Sequence, residues 1–175
     1  KGTENLSLSF KGGIAGSVLI TTQFNQDWQR DGWGIERITF ADGTVWNESQ
    51  IWNAYLSLAE ASNDILIGNQ EANSLIGGQG NDSLYGGAGE DTYRYTLGDG
   101  IDTLSDESDD GNIDQLIFSG TGLTAANVIA KRVKGTENLS LSFKGGIAGS
   151  VLITTQFNQD WQRDGWGIER ITFAD

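Results

Sequence analysis

From Ala59 the chain can be set in nines: AEASNDILI, GNQEANSLI, GGQGNDSLY and GGAGEDTYR. The third and fourth follow G-G-x-G-x-D-x-U-x, where U is a large apolar residue. Six residues of each unit read as a turn and three as a short strand. The large residue of each strand then points inward and stacks on its equivalents. The first unit keeps Asp64 but has lost its glycines, and the second has Asn73 where Asp is expected. After a two-residue insertion LGDGIDTLS (97–105) puts Asp102 at the sixth position, and DDGNIDQLI (109–117) puts Asp114 there. The inward stack is therefore expected to be Leu66, Leu75, Leu84, Tyr93, Leu104 and Leu116.

A longer repeat encloses this one. Residues 1–42 and 134–175 are identical, at an offset of 133. The chain thus holds one full unit and about a third of the next. It is expected to be an excerpt from a long array of near-identical units. A designed concatenation would give the same pattern.

Charge follows the nines. Of the net −13, residues 60–114 supply 13 acidic side chains against one basic residue, Arg94. Such a run is either a solvated linker or an array of sites for hard cations. Nucleic acid is repelled by it. There is no Cys and no His, which removes disulfides, thiolate metal sites and the commonest general base. GxSxG and HExxH are absent, as is any carboxylate pair away from the turns, so the chain is expected not to be an enzyme. No run of 18 apolar residues is present.

The turn glycines can take conformations closed to other residues and aim carbonyls at a common point. The sixth-position Asp adds a charged oxygen. Calcium takes six to eight oxygens at about 2.3–2.6 Å, more than one turn supplies but within reach of two stacked turns. Mg²⁺ is disfavoured because it keeps more water.

GGQGNDSLYGGAGEDTY followed by GDGIDTL closely resembles the RTX, or haemolysin-type, calcium-binding repeats. The resemblance implies a parallel β-roll with consecutive nonapeptides on opposite sides. Each ion then lies between one turn and the turn two repeats later. Carried over, one site joins Gly78, Gly80 and Asp82 to Asp99 and Asp102. A site on the other side joins Gly87, Gly89 and Asp91 to Gly111 and Asp114. An earlier one joins Ser62 and Asp64 to Gly77, Gln79 and Asp82. The weakest joins Glu71 and Asn73 to Gly86, Ala88 and Asp91, and lacks one carboxylate. About two to four Ca²⁺ ions follow from these pairings.

The flanks read as strands at Asn5–Phe10, Ser17–Thr22 and Gly34–Phe40, then a turn at Ala41–Thr44. Asn47 with Gln50 opens a helix to about Leu58, with Ile51, Tyr55 and Leu58 on its apolar face. Beyond the nines come a strand at Gln115–Phe118, a turn or short helix at Thr121–Asn127 and a strand at Val128–Val133. NLSLSF, SVLITTQF and GIERITFADGTVW resemble the haemolysin-type calcium-binding protein related domain. The expected fold class is all-β with one short helix: a parallel β-roll stacked with flanking antiparallel strands in a solenoid-like tandem unit. The expected division is 1–58 flank, 59–117 roll and 118–175 flank.

Together these imply a calcium-binding structural module of a large secreted bacterial RTX-type protein, an adhesin, toxin or surface array. The resemblance implies type I secretion and an extracellular or cell-surface place. Neighbouring identical units are the expected partners. Two alternatives are an accessory module of a secreted RTX enzyme, and a glycan-binding module using Trp28, Trp33, Trp161 and Trp166. The blander reading of those tryptophans is that they cap the sheet or pack on the next unit.

Overall fold

The computed structural model describes residues 6–9, 16–20, 35–57, 61–108, 110–157 and 166–173. They fall into two compact units that divide between Tyr55 and Leu56. In the first, β1 (Leu6–Ser9) and β2 (Ser17–Ile20) form an antiparallel hairpin. A second hairpin joins β3 (Arg37–Thr39) to β4 (Val45–Asn47). Its turn is tied by Gly43 N–H to the Phe40 carbonyl (3.0 Å) and Thr44 N–H to Asp42 Oδ1 (2.8 Å).

Helix α1 (Glu48–Leu56) starts at a capping box. Gln50 N–H donates to Asn47 Oδ1 (2.9 Å), and Asn47 N–H donates to Gln50 Oε1 (3.0 Å). The helix buries Ile51, Trp52 and Leu56, with Tyr55 half-buried at the margin of that stripe. The stripe is therefore rotated toward Trp52 from the expected one, and Leu58 lies outside the described residues.

The second unit is a roll. Its strands are β5 (Ile65–Ile67), β6 (Ser74–Ile76), β7 (Ser83–Tyr85), β8 (Thr92–Thr96) and β9 (Ile101–Ser105). Then come β10 (Gln115–Ser119), β11 (Val128–Arg132), β12 (Leu139–Phe143), β13 (Ser150–Ile153) and β14 (Arg170–Thr172). One sheet runs β6, β8, β10, β14, all parallel. The other runs β5, β7, β9, β13 in parallel, then closes antiparallel through β12 and β11. From β5 to β10 successive strands thus alternate between sheets, and the nonapeptide register carries straight through. Leu66, Leu84, Leu104 and Ile153 align in one sheet; Leu75, Tyr93, Leu116 and Ile171 align in the other. The expected stack from Leu66 to Leu116 is buried throughout.

The second copy of the duplicated sequence is part of the roll. Strand β13 pairs with β9 and β14 with β10, so 134–175 contributes a fourth coil to the two sheets. No local pattern announces this, because the pairing crosses some 50 residues of chain. Aromatic packing holds the join. Phe118 stacks on Phe173 (centroids 5.4 Å) and meets Phe143 edge-on (5.8 Å), while Tyr95 lies 5.6 Å from Phe143.

Coil spacing explains one glycine column. Gly80 and Gly100 form a parallel bridge, with φ of 152° and 110°. A Cβ on Gly80 would strike the Ser62 carbonyl, and one on Gly100 would strike the Gly80 carbonyl.

Candidate metal centre

The sixth-position residues form two columns, one on each side of the roll. On the first side Asp64 N–H donates to Asp82 Oδ1 (2.8 Å), and Asp82 N–H donates to Asp102 Oδ1 (3.0 Å). On the second side Asn73 N–H donates to Asp91 Oδ1 (2.7 Å) and Asp91 N–H to Asp114 Oδ1 (2.7 Å). Asp114 N–H then donates to Glu169 Oε2 (2.7 Å). Carbonyls complete each rung. Ser83, Thr103, Gln115 and Arg170 donate to the carbonyls of Asp64, Asp82, Asp91 and Asp114 at 2.8–3.1 Å. The backbone of one coil thereby fixes one oxygen of the carboxylate in the next.

The other oxygen is left over. Oδ2 of Asp82, of Asp91 and of Asp114 is buried without a hydrogen-bond partner. An unsatisfied buried polar atom costs about 1–3 kcal/mol, and more when charged. One such oxygen in the first column and two in the second, in a segment with one Arg, are what cations between the turns would satisfy.

Around Asp82 stand Asp99 and Asp102, all three buried. Asp99 Oδ2 accepts from Thr96 N–H (2.6 Å), and its carbonyl accepts from Gly80 N–H (2.7 Å), so turns 77–82 and 97–102 are joined. Gly77 and Gly78 are buried, and a Cβ on Gly77 would occupy the place of the Asp82 carboxylate. Gln79 is exposed. In the earlier turn Ser62 Oγ donates to Asp64 Oδ1 (2.8 Å), and Asp64 is only half-buried.

On the second side Ala88 N–H donates to the Asn69 carbonyl (3.0 Å), and Gly87 and Gly89 pack on the backbones of Asn69 and Glu71. Asn73 Oδ1 accepts from Asn69 N–H (2.7 Å), so that level has its amide oxygen already engaged. Gly111 is exposed and faces open space. The contact between its turn and Gly89 runs through Asp110 instead, whose Oδ2 accepts from Gly89 N–H (2.6 Å).

Two acidic residues join that sequence reasoning did not single out. Asp106 is buried, and oxygens of Asp91, Asp106 and Asp114 lie within 4.8 Å of one another. Tyr93 OH donates to Asp106 Oδ2 (2.8 Å). Asp106 directly follows β9 as Gly86 follows β7, and a Cβ on Gly86 would meet the Asp91 and Asp106 carboxylates and Tyr93 OH. The glycine makes room for the aspartate one coil on. Glu169 is the second. Its signal is in the letters: DGWGIERIT (164–172) is a nonapeptide with Glu at the sixth position. At the equivalent place on the first side stands Val151, fully buried, aligned with Asp102.

Burial dominates the titration of these groups. It pushes the Asp91 carboxyl up to about 7, with the Asn73 N–H opposing and the Asp114 and Asp110 charges adding. It pushes Asp102 up to about 7, opposed by the Asp82 N–H and reinforced by the charges of Asp82 and Asp99. Asp82 and Asp99 move up for the same first reason. Asp106 and Asp114, facing each other, are both raised. Without a cation the array resists ionisation.

The residues present fit a hard divalent cation: oxygen donors alone, rigid turns and orphaned carboxylate oxygens. The comparisons agree with that chemistry. The RTX calcium-binding nonapeptide repeat, in four copies, matches residues 59–93, and the haemolysin-type calcium binding protein related domain matches 5–50. No curated protein matches the chain significantly. No helix among the described residues is long and apolar enough to cross a membrane. Residues 59–93 are thus RTX haemolysin-type calcium-binding repeats, which this chain joins to a haemolysin-type calcium binding protein related domain.

Proposed function

We propose that the chain is a calcium-dependent structural module, not an enzyme, of a large secreted RTX-type protein. One observation carries this reading: Oδ2 of Asp82, Asp91 and Asp114 is buried and unpartnered, while each Oδ1 is fixed by the neighbouring coil. Asp82, Asp99 and Asp102 with the turn of Gly78 and Gly80 would hold one ion. Asp91, Asp106 and Asp114 with the turn of Gly87 and Gly89 would hold another. The level of Asp64 and Asp82 adds a third, shared through Asp82. The level of Asn73 binds weakest, because its amide oxygen already takes the Asn69 N–H. Bound calcium supplies positive charge that the buried carboxylates otherwise lack.

Metal-free, the carboxylates of 60–114 repel one another over a thin apolar core, so ion binding supplies much of the folding free energy. That suits a chain exported unfolded from a low-calcium cytosol and folded outside, in a tandem array or at a cell surface. Trp28, Trp33 and Trp161 lie outside the described residues; Trp166 is half-buried, in keeping with a packing role. The test is far-UV circular dichroism of the chain in excess chelator and in millimolar Ca²⁺. A large gain of β-signal with calcium is expected. An unchanged spectrum, already folded in chelator, would sink the reading.

A further inference from the structure

The duplicated sequence offers the same strands in two settings, and one setting shows what the other lacks. In the second copy β13 lies parallel on β9, with Ser150 to Ile153 opposite Ile101 to Leu104. Strand β14 lies parallel on β10, with Arg170 to Thr172 opposite Gln115 to Ile117. Glu169 accepts the Asp114 N–H, and Phe173 stacks on Phe118. In the first copy β2 pairs with β1, and β3 with β4. The edges that β13 and β14 give to the roll carry no described strand on β2 and β3. Val18 is 49% exposed where Val151 is 0%. Phe40 is 38% exposed and packs on Trp46. Glu36, the counterpart of Glu169, is exposed as well.

We propose that the first copy is a docking surface for the open end of a calcium-loaded roll, and that its occupant is the β9–β10 end of a second copy of this chain. Strand β2 pairs there with β9 and β3 with β10, in the register that β13 and β14 show. Glu36 takes the Asp114 N–H and Phe40 takes the Phe118 face. The sequences are identical, so the roll end has no means of preferring one copy to the other except tethering. Its own second copy, joined through residues 120–133, wins by effective concentration. When that copy is dislodged, the first copy of another molecule replaces it. Each molecule then offers one end and accepts one, a head-to-tail contact that grows open chains rather than closed dimers. The inference rests on the reading that calcium folds the roll.

The experiment uses the full chain and four sequences: wild type, Ile153→Asp, Ile20→Asp and the double variant. Ile153 is fully buried over Leu104, so a carboxylate there dislodges the second copy; Ile20 is its counterpart. Circular dichroism with and without Ca²⁺ comes first. A chain folded in chelator would overturn the calcium reading alone, and the four would then be compared without calcium. Sedimentation velocity in Ca²⁺ is read next. Wild type and I20D are expected as monomers, I153D as a concentration-dependent series of oligomers, and the double variant again as monomers. Monomeric I153D with a folded roll would overturn the proposal, as would oligomers that persist in the double variant. Should I153D fail to fold in calcium, Ile153→Ala loosens the seat more mildly. I153A must then associate more strongly than wild type, and monomers at millimolar chain would refute the docking.

Discussion

Residues 17–20 and 150–153 are the same four letters, SVLI, and their surroundings differ. In the second copy they are an interior strand of a six-stranded sheet, with Val151 and Ile153 fully buried. In the first they are one arm of a two-stranded hairpin, with Val18 and Leu19 exposed. Propensity, alternation and turn chemistry are identical. The difference comes from what each meets: β13 meets the unpaired edge of β9, whose height is set by the turns below it. A strand's burial here depends on coils that the carboxylate columns hold at fixed spacing.

The sharpest way to break this contrast is to remove the surface that the second copy meets. Phe118→Ala takes away the ring under Phe143 and Phe173 and is expected to cost about 3–5 kcal/mol in urea unfolding in calcium. Loss of under 1 kcal/mol would mean the aromatic join is incidental. The columns come next. In the proposed arrangement Asp82 serves two levels and Asp64 one, so Asp82→Ala should weaken calcium binding by about 10–100-fold and Asp64→Ala by less. Equal losses in calorimetric titration would argue that the levels do not share Asp82.

A matched pair then sharpens the comparison itself. Val151→Ala is expected to cost about 2 kcal/mol, and Val18→Ala to stay within about 0.5 kcal/mol. The same substitution in the same sequence should differ only through its neighbours. Equal thermal shifts would contradict the assigned settings.

Acid gives the most graded effect. Asp91 and Asp102 are raised from the ordinary 3.8 to about 7. A folded-state value above the unfolded one means the metal-free roll takes up protons on folding. In chelator its stability therefore grows as pH falls from about 7 toward 4, and is lost as pH rises through 7. Calcium competes with the same protons, so affinity should fall about tenfold per pH unit below 7 for each titrating carboxylate. Affinity independent of pH between 5 and 8 would mean these groups are not the ligands.

Much of the roll was legible because its rule is local. The nonapeptide pattern, carried across two insertions, places Leu66 to Leu116 inside, and the resemblance that it carries implies the pairing of Asp82 with Asp102 and of Asp91 with Asp114. The rest depends on register between distant segments. Asp106 falls outside the frame of nines, and only the alignment of β9 with β7 sets it beside Gly86. Glu169 lies 55 residues beyond Asp114, its partner. Reading 118–175 as a flank separated β13 and β14 from sheets that they complete, since parallel pairing leaves no mark in neighbouring letters.

The central claim is that calcium on the buried columns builds the surface that orders the second copy. Amide exchange followed by NMR tests it most directly, because identical peptides from the two copies cannot be told apart by mass. With Ca²⁺, the amides of 65–119 and of Ser150–Ile153 should exchange slowly. Ser17–Ile20 should stay fast in dilute solution. In chelator, Ser150–Ile153 should become as fast as Ser17–Ile20. Protection of Ser150–Ile153 that survives chelator unchanged would contradict the account.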